Sequence, residues 1–196
     1  MSTEIAEFEK KKDMQGMWVF IASEALLFGG LFLCLTVLHS LHAVSFAEGT
    51  RLMNLRLGTL NTAILLTSSW TLALAIEFMK LGKSRFYLFT LTVALGFSFL
   101  LIKAWEYHEH IRDGFFPSAN SRLPLFFFLY FTSTGLHALH VFVGLGLILW
   151  LTKTLKSSTR PVLHESLMEN VGLYWHFVDI IWVFLYPALY LIGRSV

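Results

Sequence analysis

The stretch YWHFVDIIW, Tyr174–Trp182, sets a histidine and an aspartate three residues apart inside an apolar, aromatic run. The surrounding window, about 171–192, has the roughly 20 residues needed to cross the hydrocarbon core of a bilayer. That core offers no water to free peptide groups, so a segment of this length must be helical. An aspartate is expensive there and calls for a partner. His176 and Asp179 lie one turn apart on one helix face and can hydrogen-bond each other. Alternatively, Asp179 orients a histidine from another helix. Trp175, Asp179 and Trp182 follow at steps of four and three residues, which predicts a packing seam rather than a pore lining.

Four further apolar segments precede this one, at about 17–39, 58–79, 86–105 and 124–151. Composition agrees: 56% of the 196 residues are hydrophobic and 14% are charged, against about 25% charged in soluble domains. Net charge is only +2 and the one basic block is Lys10–Lys12, so nothing points to nucleic acid. The single cysteine, Cys34, excludes a disulfide framework and a cysteine metal site. The first run, Met17 to Leu38, exceeds the roughly 7–15 apolar residues of a secretory signal and predicts a first transmembrane helix. The expected architecture is an all-α integral membrane protein. Residues 1–16 form a cytoplasmic N-terminal segment, and 17–193 form a single domain of five transmembrane helices. The connections, including LHAVSFAEGTRLMNLR at 41–56 and HEHIRDGFFPSANSR at 108–122, carry the polar and turn residues of loops. Pro187 predicts a kink in the fifth span. Five spans put the termini on opposite sides. Nine Lys and Arg fall on the N-terminal side and six on the other, which places the N-terminus in the cytoplasm and the C-terminus across the membrane.

Several polar side chains lie within these spans. Glu24 sits about a third of the way into the first, where a carboxylate costs roughly 2.5–3.5 kcal/mol. It is either packed and hydrogen-bonded against another helix or a proton-handling group. Ala25 and Gly29 make a small-residue stripe beside it. The third span ends in Lys103, Glu106, His108, Glu109, His110 and Arg112. Glu106–His110 and Glu109–Arg112 have helical pairing distances, predicting an interfacial polar end with internal ion pairs; a metal site there would need ligands from other helices. His137 and His140 in the fourth span make, with His176, three intramembrane histidines. They could ligate a haem, transfer protons, or serve as hydrogen-bonding groups in helices that Gly135, Ala138, Gly144 and Gly146 let approach closely. Asn61, Thr62, Thr67, Ser68 and Ser69 in the second span are helix-joining polar groups. There is no phosphate loop, nucleophile elbow or metalloprotease helix.

Taken in order, FIASEALLFGGLF, LNTAILLTSSW, LLIKAWEYHEH, STGLHALHVFVGL and YWHFVDIIWVFLY resemble subunit III of the haem–copper respiratory oxidases. The resemblance covers roughly residues 15–193 and is specific because five motifs occur in sequence. It corresponds to the last five helices of the larger seven-helix members, whose first two helices form a lipid-filled cleft against the rest. Five-helix members include those of bacterial quinol oxidases. What the resemblance implies is an accessory, non-redox subunit in an oxidoreductase complex that reduces oxygen and pumps protons. Haem and copper lie in partner subunits, chiefly subunit I, with subunit II and other small subunits completing the assembly. This chain packs on subunit I, holds phospholipid and supports sustained turnover. By the same resemblance Glu24 matches the family's buried, carbodiimide-reactive carboxylate, and Glu106 the glutamate of its EY motif. His137, His140, Trp175, His176 and Asp179 match its histidine and WHFVD stretches. Lys103 departs from the family, whose members carry Gln or Glu there; it can pair with Glu106. Lys153 falls near a basic position that contacts lipid phosphate. The expected location is a bacterial cytoplasmic membrane, or the mitochondrial inner membrane.

Two other readings follow from the same residues. One is a related accessory subunit of a nitric oxide reductase. The other is a self-contained proton or solute transporter using Glu24 and the histidines, although no inverted repeat supports it.

Overall fold

Helix α1, Ser2–Leu41, opens the chain in the computed structural model, and a short α2, Ala43–Leu52, follows it. The others are α3 (Leu55–Lys80), α4 (Phe86–Arg112), α5 (Pro124–Ser157) and α6 (Glu165–Tyr190), with a 3₁₀ turn at Ile192–Arg194. The structure describes residues 2–116, 123–157 and 164–194. The loop readings for 117–122 and 158–163, with Arg122 and Arg160, and any reading of the Lys10 and Lys11 side chains lie outside the described residues. Five helices are long and apolar enough to cross a membrane: α1 from Met14, α3, α4, α5, and α6 with its 3₁₀ extension. The protein is an integral membrane protein of the expected all-α class.

Local chemistry sets the helix ends. Asn54 caps α3 by accepting a hydrogen bond from the Leu57 amide at 3.3 Å. Both α3 and α4 end on a glycine in the left-handed region, Gly82 at φ +71° and Gly114 at φ +82°. In each, the next amide returns to the helix, Lys83 to the Phe78 carbonyl and Phe115 to the His110 carbonyl. Pro124 starts α5, where a missing amide hydrogen is harmless.

The core is a four-helix unit in which α3 lies along α4 and α6, and α5 closes against α4 and α6. Close approach comes from glycine facing large rings. A Cβ on Gly96 of α4 would lie 2.8 Å from the Trp175 ring, and one on Gly144 of α5 would also lie 2.8 Å from it. The indole of α6 thus fills the notch that these glycines leave, and Trp175 is 1% exposed. Helix α1 is peripheral: only 17% of its spanning window is buried, against 33–44% for the others. It leans on α6 and touches α5.

Three expectations change. The loop at 41–56 contains α2, whose Ala47 and Thr50 pack on Gly193. Arg194 locks the two together by donating to the Met53 carbonyl. Residues 108–112 continue α4 rather than beginning a loop. The Ala25–Gly29 stripe joins no other helix among the described residues: both residues are exposed and a Cβ on Gly29 would meet nothing within 4 Å. Gly146 likewise has open space beside it. Of the α5 glycines, Gly144 makes the tight contact.

Substituting Gly144→Val forces the Trp175 ring to move and should lower bundle stability by about 1–3 kcal/mol. Gly146→Ala should stay within about 0.5 kcal/mol of the parent. Thermal denaturation in detergent separates the two; equal melting temperatures would contradict the proposed fit.

Candidate functional site

The most deeply buried polar cluster lies between α4, α5 and α6. Lys103 Nζ donates to Glu106 Oε2 at 2.9 Å, to the Tyr190 hydroxyl at 2.7 Å and to the Tyr130 hydroxyl at 3.3 Å. All three ammonium hydrogens therefore have an acceptor. The Tyr190 hydroxyl in turn donates to Glu106 Oε1 at 2.6 Å. The Trp182 ring centre lies 4.8 Å from the ammonium and the Tyr130 ring centre 5.0 Å, adding cation–π attraction. Lys103 is 3% exposed and Glu106 1%. The ion pair suggested by three-residue spacing forms, with both groups turned into the bundle. His110 Nε2 stands 4.0 Å from Glu106 Oε1, too far for a hydrogen bond. Glu109 does not pair with Arg112; it accepts from Trp105 Nε1 at 3.0 Å.

A second pair joins the peripheral helix to the bundle. Glu24 Oε2 of α1 lies 3.0 Å from His140 Nε2 of α5, with the side chains 18% and 13% exposed. The His140 Nδ1 is 2.8 Å from the Leu136 carbonyl. A carbonyl only accepts, so Nδ1 carries a hydrogen, and a neutral imidazole then has only a lone pair at Nε2. The Glu24 contact accordingly needs a proton between the groups, carried as a carboxylic acid or as an imidazolium. In both forms the pair is uncharged overall. The Tyr174 hydroxyl donates to the His140 carbonyl at 3.1 Å, holding this turn of α5 against α6.

The stretch YWHFVDIIW behaves differently from its spacing. His176 Nδ1 meets the Ser69 hydroxyl of α3 at 2.5 Å, and Ser69 is also the side chain that interacts with Asp179. The intrahelical His176–Asp179 bond is absent, and Asp179 Oδ1 has no hydrogen-bond partner. Two groups on one helix face need not bond when a serine on the facing helix presents a better-directed hydroxyl. The packing seam does form: Trp175, Asp179 and Trp182 are all buried. Trp182 Nε1 donates to Thr62 at 3.1 Å.

His137 joins neither pair. It is fully buried, its ring 5.1 Å from Trp182 and 5.6 Å from Phe99, and neither nitrogen has a partner. Lys103 and His137 both lie against the Trp182 ring, whereas His140 and His176 go to Glu24 and Ser69. Among the described residues no three His, Cys, Asp or Glu side chains gather as a metal site. Lys153 is exposed near the end of α5, beside Trp150 and Thr154 in a surface depression of about 510 Å³. Ser69, expected as a helix-joining group, does join α3 to α6; the residues missed from sequence are Tyr130 and Tyr190. Each is a polar group in an apolar span, but neither has a partner on its own helix to mark it.

A family model described as cytochrome c oxidase subunit III matches residues 7–194. A Staphylococcus haemolyticus protein named "Probable quinol oxidase subunit 3" is 34% identical over 182 residues, covering 91% of this chain and 88% of its own length. A protein of the same name from Staphylococcus epidermidis is 34% identical over 185 residues with the same coverage. The Staphylococcus aureus protein of that name is 33% identical over 182 residues, again with 91% and 88% covered.

Removing one member of the buried ion pair leaves the other uncompensated, so Lys103→Met should cost about 3–5 kcal/mol. The double change Lys103→Met with Glu106→Gln should recover most of that loss. Denaturation of both variants in detergent reads this directly; a double variant no more stable than the single one would show that the charges are not coupled.

Proposed function

The chain belongs to the cytochrome c oxidase subunit III family, and from that premise we propose that it serves a bacterial haem–copper oxidase whose electron donor is a quinol. Membership makes it an accessory subunit of a haem–copper oxidase, working in the membrane as part of a respiratory complex. The observation that carries the proposal is the match over residues 7–194, through all five spans, together with relatives of similar length named for a quinol. Their three source organisms are bacteria, which supports the bacterial plasma membrane as the location.

Within the complex, haem and copper belong to partner subunits, and this chain packs chiefly on subunit I, with subunit II and smaller subunits nearby. Residues 1–16 face the cytoplasm and the C-terminus the opposite side. The burial of Lys103 against Glu106 supports that orientation, because it removes a charge from the less basic side and leaves five against nine. Lys153, exposed beside Trp150, meets phospholipid headgroups. The two carboxylates divide their roles. Glu106 is fixed in a saturated ion pair and holds the helices together. Glu24 shares a proton with His140 and is the carboxyl suited to proton handling in support of turnover.

Affinity purification through this chain should bring down a large haem-bearing subunit in stoichiometric amount, and the preparation should oxidise a quinol with oxygen uptake. A stoichiometric Soret band retained by this chain after separation would overturn the accessory role, and oxidation of cytochrome c but not quinol would overturn the donor. Glu24→Gln keeps a hydrogen-bonding group opposite His140, so the complex should assemble normally and differ only mildly in how long activity lasts under turnover. Failure to assemble would instead make the carboxyl a packing requirement.

A further inference from the structure

A groove of about 330 Å³ opens between α1 and α5 beside the Glu24–His140 pair. Its walls are Phe20 and Glu24 from α1, Val143 and Leu147 from α5, and Tyr174 from α6. The lip residues Leu139 and Val143 are 57% and 46% exposed and lie within a spanning helix, so the mouth faces hydrocarbon, not water. The wall is not wholly apolar. Glu24 Oε2 is engaged by His140, whereas the second carboxyl oxygen, Oε1, makes no hydrogen bond to any described residue although its side chain is 18% exposed. A carboxyl oxygen left against hydrocarbon is costly. The groove therefore selects an occupant with an apolar body and an O–H donor.

Depth decides which amphiphile fits. The spanning part of α1, Met14–Leu41, has 28 residues. At 1.5 Å per residue, Glu24 lies about 15 Å from Met14 and about 5 Å from the middle of the span. Phospholipid headgroups begin about 15 Å from the bilayer centre, so at this depth a phospholipid presents only acyl chain, which cannot donate to a carboxyl. A quinol is uncharged, dissolves in the bilayer and carries phenolic hydroxyls on a ring free to reach this depth. The volume is also sufficient, since a cavity of about 150 Å³ holds a benzene ring.

We infer that this groove binds a membrane quinol, with one hydroxyl donating to Glu24 Oε1 and the ring resting against Phe20 and Tyr174. Phe20, 40% exposed, supplies the accessible ring surface, and Tyr174, 3% exposed, backs it with ring centres 6.0 Å apart. The inference rests on the quinol-donor reading above and adds a site for that molecule on this subunit. The site holds the quinol; no electron leaves it here.

The test is photolabelling of the purified, intact complex with an azido-quinone, followed by digestion and mass spectrometry. Label should appear on peptides containing Phe20–Glu24 or Leu139–Leu147, and excess unlabelled quinol, not added phospholipid, should displace it. In an assembled Glu24→Leu complex the yield at these peptides should fall at least about tenfold, as loss of a hydrogen bond to an ionisable group requires. Label at any quinone site on another subunit should be unchanged. Label found only elsewhere, displacement by phospholipid but not quinol, or an undiminished yield in Glu24→Leu would each overturn the site. If that variant fails to assemble, the wild-type displacement experiment decides alone. A donor assay on the same preparation keeps the two readings apart: a complex that oxidises only cytochrome c yet takes label at Glu24 removes the donor reading and keeps the site.

Discussion

The bilayer core supplies no solvent hydrogen bonds, so a buried polar side chain in this bundle is stabilised only by partners that the protein itself provides. Lys103 and Glu106 meet that constraint most completely. Their charges cancel, the three ammonium hydrogens are all accepted, and two tyrosines from α5 and α6 close the network. Because the acceptors come from three helices, the relative height and rotation of α4, α5 and α6 are tied to one point. A buried ion pair adds little net stability over a well-packed apolar core, but it penalises every arrangement in which either partner is displaced.

Around that point, packing is set by size. Gly96 and Gly144 admit the Trp175 ring, and Gly172 admits Ile76, so the helices come close enough for Ser68, Ser69, Thr62 and Thr92 to bond across them. The pair Lys80–Glu169 adds a clasp between α3 and α6 at 2.8 Å, half-exposed and worth about 1 kcal/mol or less. Helix α1 stands outside this scheme. Its polar tie to the bundle at Glu24 and His140 is uncharged overall, and its outer face, with Gly29 and Gly30 free of neighbours, is open to whatever lies beside it in the membrane. The same looseness creates the groove that exposes Glu24.

Much of this was legible in the chain itself. The number of spans, their approximate limits and the helical class follow from the length of the apolar runs. The Lys103–Glu106 pair was legible because both groups are on one helix, where spacing alone says what can meet. The His176–Asp179 spacing was equally suggestive, yet the bond is replaced by Ser69 from α3. Local spacing states which contacts are possible, not which competitor from another helix wins. Helix α2 was illegible for a related reason: AVSFAEGTRL has mixed polarity, and it is held by Gly193 and Arg194 from the far end of the chain.

By itself, the sequence determined that this protein crosses the membrane five times as helices, and its ordered motifs pointed to its family. Those properties depend on hydropathy and residue order, which are one-dimensional. Only the tertiary structure decided that Glu106 is locked by Lys103, Tyr130 and Tyr190 while Glu24 faces the His140 imidazole beside an open groove. Two glutamates in apolar spans look alike in the chain. What distinguishes them is whether a cation or an imidazole stands opposite, and that depends on how separate helices pack.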